Sequence, residues 1–424
     1  MTASDNPFLL GVTYWPRHKA FWWWANYDRS EVRDELAQIA GWGCNSVRIC
    51  LRWEHVQPSR EHLNSGMLRA LEHTLDVAAD VGLRVVVALF PVALGGALHV
   101  PRWVNHPDPI GELQQVARFG PTLDVPAAGR TPVIYDHGYR HNEVPDVFRD
   151  TAIRAAQLYQ VGEVVGYFGA HPAAWAWQLG EGLERLRRPD SSEAVHEWYA
   201  ALAEAVRAQR NGARVLGMTS VRGLRTPTGP RPEHLADVCE MVGVSANPPL
   251  HLGRGPLRAT AIAFLYALAS GLAEEPVAVA GLGLPTVTPE AAGWVADSAY
   301  GRELATFLAD EEQQAMFIGE ALERLYRAGA PGVWLAAYAD YPAELWRRPP
   351  LDRSIRERTL GLVAADGREK AAARAVSAFA ASIAQADQTA TRQPPALDLD
   401  TERYWREPRR EYERLWREWS EEEG

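Results

Sequence analysis

Cysteine is scarce in this sequence. Three residues in 424, Cys44, Cys50 and Cys239, are too few and too scattered for a disulfide framework or a Cys-rich zinc site. Positive charge is also short: 44 Lys and Arg stand against 54 Asp and Glu, a formal net charge of −10. That balance offers no basic footprint for nucleic-acid phosphates. The most apolar run, residues 85–100, is broken by Pro91 and by Gly95-Gly96, so no membrane span is expected. The first residues lack the basic start and apolar core of a secretion signal, and a cytoplasmic location is expected. Gly180-Glu-Gly182 lacks the third glycine of a phosphate-binding loop, and no Gly-x-Ser-x-Gly elbow occurs. His137 and His141 are four apart, but in loop-like sequence without a His-Glu-x-x-His frame. Neither metal nor cofactor is therefore expected.

What is present is an ordinary globular composition, 47% hydrophobic and 23% charged, with sixteen tryptophans. Indole faces pack cores, and they also cover the apolar face of sugar rings. Short apolar runs alternate with amphipathic stretches. Strands are expected over 8–14, 46–52, 84–90, 173–179, 214–219, 241–245, 276–280 and 332–338. Helices are expected over 29–41, 68–81, 147–169, 193–208, 232–237, 257–272, 311–328 and 369–383. Eight strand-helix pairs without a domain linker predict an α/β chain folded as a single (β/α)8 barrel over residues 1–383. A long loop, 91–144, follows the third strand. Residues 384–401 read as a linker. Residues 402–424 read as an amphipathic helix with Tyr412, Leu415, Trp416 and Trp419 on one stripe, docked on the barrel or on a protein partner, self-association included.

In such a barrel, chemistry is carried at the C-terminal ends of the strands. Those ends offer Tyr14 and Trp15; Arg48, Trp53 and Glu54; Glu181 and Glu184; Ser245 and Asn247; and Trp334, Tyr338, Asp340 and Tyr341. Glu181 or Glu54 can be the counter-ion that a buried Arg48 requires.

Four segments carry a resemblance: Gly11-Val-Thr-Tyr-Trp-Pro16, Asn45-Ser-Val-Arg48, Trp53-Glu-His-Val-Gln-Pro58 and His171-Pro-Ala-Ala-Trp-Ala-Trp-Gln-Leu-Gly180. Together they resemble the (β/α)8-barrel glycoside hydrolase clan of cellulases, β-mannanases and β-galactosidases, in particular its cellulase- or mannanase-like bacterial branch. The resemblance runs over about residues 8 to 380. It implies an arginine on strand two supporting a nucleophile, matched by Arg48, and an aromatic sugar platform on strand eight, matched by Trp334. It also implies an acid/base glutamate after strand four in a Trp-x-Leu-x-Asn-Glu pattern. This chain reads Trp177-Gln-Leu-Gly-Glu-Gly182, which puts Gly182 at that station. The nucleophile's station after strand seven falls on Gly281, and Ser245-Ala-Asn-Pro248 stands where relatives have His-x-Tyr-Pro.

The expectation is a degenerate barrel that binds a small saccharide or polyol-like ligand without hydrolysing it, through Trp15, Arg48, Trp53, Ser245, Asn247, Trp334 and Tyr338. Two alternatives stand beside it. One is an atypical hydrolase using Glu181 with Glu54 or Asp340. The other is a repurposed barrel with different chemistry or a protein-docking role.

Overall fold

The computed structural model describes residues 8–105, 133–135, 138–140, 145–246, 258–301, 303–386 and 392–422, with the backbone alone at 105, 133–135, 138–140 and 304. Eight parallel strands close into a barrel in sequence order. They are β1 (Leu9–Thr13), β2 (Ser46–Cys50), β3 (Arg84–Ala88), β4 (Ala174–Leu179), β5 (Arg214–Ser220), β6 (Met241–Ser245), β7 (Ala278–Leu282) and β8 (Gly332–Leu335). The ring is completed by β1 pairing with β8, Gly11 opposite Trp334. Helices α1 (Arg29–Gly41), α2 (Ser65–Asp80), α3 (Thr151–Phe168), α4 (Ser192–Gln209), α5 (Pro232–Val238), α6 (Ala259–Ala273), α7 (Glu311–Arg327) and α8 (Ala371–Gln385) each follow one strand and form the outer layer.

Local chemistry sets the helix starts. Asp28, Asn64, Asp150 and Ser191 accept hydrogen bonds from free backbone N–H groups at the heads of α1 to α4. Asp310 and Gln313 form a reciprocal capping box on α7.

The large core lies between strands and helices. A second, small cluster fills the barrel itself: Leu9, Val86, Ala176, Leu216, Met218, Ala278, Ala280 and Trp334. Trp334 fits there because its register neighbours are Gly11 and Ala280. A Cβ on Gly11 would come 2.8 Å from the indole Cδ1, closer than packed atoms tolerate.

Three expected elements differ in extent. Strand seven runs two residues later than the 276–280 expected, because the irregularity between Ala280 and Leu282 is taken up by Gly281 in a left-handed conformation, φ +74°. Strand eight stops at Leu335, and Ala337–Ala339 pairs instead with Gly361–Val363 outside the barrel. The tail is two helices, α9 (Thr401–Arg406) and α10 (Pro408–Glu422). Pro408 has no N–H to continue the first.

The tail stripe lies on the barrel wall. Tyr404 donates to the Leu224 carbonyl at 2.8 Å. Tyr412, Trp416 and Trp419 pack their rings against Phe264 of α6. Among the described residues no helix is long and apolar enough to cross a membrane. All three cysteines are buried and unpaired.

Candidate functional site

The barrel mouth is built on a quartet from three strands. Thr13, Arg48 and Gln178 project inward from the upper ends of β1, β2 and β4, where Thr13 stands opposite Arg48 in register. Arg48 Nε donates to Gln178 Oε1 at 2.6 Å, its Nη1 to Thr13 Oγ1 at 3.3 Å, and its Nη2 to the Glu181 carboxylate. Gln178 Nε2 reaches the same carboxylate at 3.4 Å. A buried guanidinium thus has its charge and its fork of donors matched. Glu181 keeps 16% of its side chain exposed, against 5% for Arg48.

Glu181 cannot swing freely. Its backbone is bridged to the chain leaving β3: Glu181 N–H donates to Phe90 O, and Val92 N–H to Glu181 O. The next residue, Gly182, is left-handed at φ +75°, and a Cβ there would lie 2.5 Å from the Cβ of Ala93. A side chain at position 182 would therefore meet both an unfavourable backbone conformation and Ala93. Glu184 lies just beyond, buried, and accepts from Ser220 Oγ at 2.8 Å.

The other two acidic candidates have partners of their own. Glu54 lies in the first turn of the short helix Trp53–Val56 and is buried with Arg52 and His99; Arg52 Nε donates to it at 3.0 Å and His99 Nδ1 lies 3.3 Å away. Burial works against its charge, but Arg52 and His99 override that and hold the carboxyl well below the usual range. Burial pushes His99 down, toward the neutral ring. Asp340 accepts from Lys370 Nζ at 2.7 Å and from the Gly361 N–H at 2.9 Å. Burial raises it to about 6, against the pull of Lys370. It fastens the Ala337–Ala339 segment to the head of α8.

The aromatic candidates are packed rather than open. Trp15 is buried edge-on to Phe21. Trp53 is wholly buried, its Nε1 donating to Gln57 Oε1 at 2.9 Å. Trp334 lies inside the barrel. Tyr338 faces the helix layer, stacked on Trp42 and donating to Gln38 Oε1 at 2.5 Å. Ser245 is buried at the end of β6 between Ser220 and Ala280. Asn247, like His137 and His141, lies outside the described residues. Among the described residues there is no cluster of three or more His, Cys, Asp or Glu able to hold a metal.

Sequence reasoning missed Gln178, Arg52, His99 and Lys370. Gln178 was legible in principle, as a polar residue on the inward-facing parity of an otherwise apolar strand. Arg52 stands two residues before Glu54 and was legible as its neighbour; His99 and Lys370 meet their acids only through the fold.

No family model and no curated protein matches the chain. Solved structures do. The GH5_18 protein of Streptomyces cattleya, in complex with GlcNAc, superposes with a TM-score of 0.66 at 20% identity over 92% of this chain and 83% of its own. A GH5_18 protein of Bifidobacterium longum subsp. longum, in complex with Manβ1-4GlcNAc, gives 0.68 at 19% identity over 93% and 83%. The exo-beta-1,4-mannosidase Op5Man5 of an Opitutaceae bacterium gives 0.65 at 20% identity over 89% and 60%. The chain has the fold of the glycoside-hydrolase barrels.

Within this glycoside-hydrolase-type barrel, Glu181 is the candidate acid that combines a place at the mouth with partial exposure. Gly182 and Gly281 follow β4 and interrupt β7, both left-handed, and neither carries a proton or a nucleophile.

Proposed function

We propose that the chain is a degenerate glycoside hydrolase that binds a saccharide or a similar polyhydroxylated ligand at the barrel mouth and does not cleave it. The observation that carries this reading is the clasp of Glu181 by Arg48 and Gln178, directly beside a left-handed Gly182 backed by Ala93. A glycosidase needs one carboxyl group to protonate the leaving oxygen and a second to attack or to activate water. Here Glu181 is held by a guanidinium, Glu54 by Arg52 and His99, and Asp340 by Lys370. Convergent hydrogen bonds suffice for binding without turnover. The fold neighbours solved with GlcNAc and Manβ1-4GlcNAc make hexose-based ligands the first to try.

The test is calorimetric titration of the full chain with Manβ1-4GlcNAc and a panel of manno-, gluco- and galacto-configured oligosaccharides, with the same mixtures assayed for released reducing sugar. Binding without release is expected. The second reading, a hydrolase built on Glu181, is favoured by the partial exposure of that side chain. Turnover that disappears in Glu181→Gln, with the fold intact, would establish it instead.

A further inference from the structure

The tail reaches the mouth. Its helices α9 and α10 touch the loop that follows β5, residues 221–231. Tyr404, wholly buried, donates to Leu224 O at 2.8 Å. Arg225 Nη2 donates to Glu413 Oε1 at 2.9 Å, and its guanidinium carbon lies 5.3 Å from the centre of the Tyr412 ring. The Arg231 guanidinium carbon lies 4.7 Å from the centre of the Trp405 ring. A buried hydrogen bond, an ion pair and two cation–π contacts thus run from the tail to one loop.

That loop is a compact piece. Thr219 Oγ1 donates to Pro230 O at 2.7 Å, joining its two ends. Inside it, Val221–Leu224 makes one short helical turn headed by Ser220, whose Oγ accepts from the Gly223 N–H at 3.1 Å. Gly229 comes so close to this turn that a Cβ on it would lie 2.8 Å from the Gly223 Cα. Ser220 also holds the neighbouring loop. Its Oγ donates to Glu184 Oε1 at 2.8 Å, and both side chains are buried. One hydroxyl therefore gives its proton to the loop after β4 and a lone pair to the loop after β5. Glu184 stands three residues after Glu181, in the turn Leu183–Arg185 that left-handed Gly182 opens. A longer, exposed contact, Arg188 Nε to Thr228 Oγ1 at 3.4 Å, also links the two loops.

We infer that the tail is a strap that positions the loop carrying Glu181. Tyr404 and Glu413 hold the loop after β5, and Ser220 passes that hold to Glu184. Tyr404, Ser220 and Glu184 are then positioning residues for the mouth, acting through one another and not on a ligand. The strap can be tested without a ligand, so its failure would leave saccharide binding untouched.

The test is hydrogen exchange on the full chain. It is read at the Arg225 N–H in the loop after β5, at the Arg185 and Leu186 N–H groups in the loop after β4, and at Trp42 and Gly43 at the end of α1 as distant references. Tyr404→Phe should speed exchange about fivefold at the three mouth positions, the size of one lost hydrogen bond, and leave the references unchanged. Glu413→Gln, at a half-exposed position, should act in the same direction more weakly, and it keeps the test open if the buried variant does not fold. In a Ser220→Ala background, Tyr404→Phe should still reach Arg225 but no longer Arg185 and Leu186. In a Glu184→Gln background, which keeps an acceptor for Ser220, it should reach all three. No acceleration, acceleration confined to Arg225, or acceleration at Arg185 and Leu186 that survives Ser220→Ala would overturn the strap. Equal acceleration at Trp42 and Gly43 would overturn it too, since the tail would then only stabilise the barrel as a whole.

Discussion

Arg48 on β2 holds the Glu181 carboxylate beyond the end of β4, reaching past β3 to do so. One ion pair therefore ties together the upper ends of two strands that are not neighbours, and it occupies the acidic group that chemistry at this mouth would call on.

Removing the cation should expose how much the mouth depends on it. Arg48→Ala leaves Glu181 without its counter-ion and Gln178 without its donor, and a broken buried pair costs about 3–5 kcal/mol. Glu181→Gln keeps an acceptor for Arg48 and should cost less. Urea denaturation of the two variants checks the order; an equal loss would show that the pair is not what holds the strand ends.

Restoring the expected acid should fail. Gly182→Glu places a side chain at φ +75° against Ala93, where the left-handed conformation alone costs about 1–2 kcal/mol. The double variant Gly182→Glu with Gly281→Glu is expected to lower the melting temperature and to release no reducing sugar. Hydrolysis by that variant would show that two substitutions, and not the surrounding backbone, separate this chain from a glycosidase.

Two buried glutamates should give opposite pH slopes. Burial raises Glu35 from 4.5 to about 7, against hydrogen bonds from Tyr14 and the Arg17 N–H. The folded chain then keeps a proton that the unfolded chain has released. Its stabilising share is present below about pH 4.5 and is lost as pH rises through about 7, on the order of 3 kcal/mol at most. Glu54, held low by Arg52 despite burial, contributes above its unfolded pKa and loses that contribution as pH falls. Denaturant midpoints from about pH 4 to 8 should show the wild type losing ground to Glu35→Gln as pH rises. Extending the series below about pH 4.5, the unfolded glutamate value, should show the wild type losing ground to Glu54→Gln as pH falls. A Glu35→Gln profile parallel to wild type between about pH 4.5 and 7, or a Glu54→Gln profile parallel to it below about pH 4.5, would refute the respective assignment.

The tail should behave as part of the barrel. Tyr412 and Trp419 are buried against Phe264, and truncating a buried aromatic residue costs about 3–5 kcal/mol. Trp419→Ala should therefore lower the unfolding midpoint in a single transition shared with the rest of the chain. A separate early transition for the tail would contradict this.

The barrel could be read from the sequence because parallel strands buried on both faces appear as short apolar runs, and Ser46–Cys50 or Met241–Ser245 can hardly be anything else. The mouth was only half legible. Arg48 and Glu181 were recognisable as possible partners, since a buried arginine demands an acid. Arg52, two residues from Glu54, was in plain view as a counter-ion, whereas His99 and Lys370 stand 45 residues from Glu54 and 30 from Asp340 and meet them only in the fold. Trp15, Trp53 and Trp334 read as platforms but are buried. Residue type says that an indole needs cover, not whether a sugar or the core provides it. The hairpin that pairs Ala93–Leu94 with Ala97–His99 was hidden in what reads as a glycine-rich break.

Closure of the ring between Gly11 and Trp334 also has a meaning for synthesis on the ribosome. The edge of β1 that faces β8 stays unpaired until the six strands between them and β8 itself have been made, and an unpaired strand edge is a template for the wrong neighbour. The nascent chain must carry that open edge while the rest of the barrel is synthesised, so β1, the first barrel strand made, waits for the last one to complete its pairing.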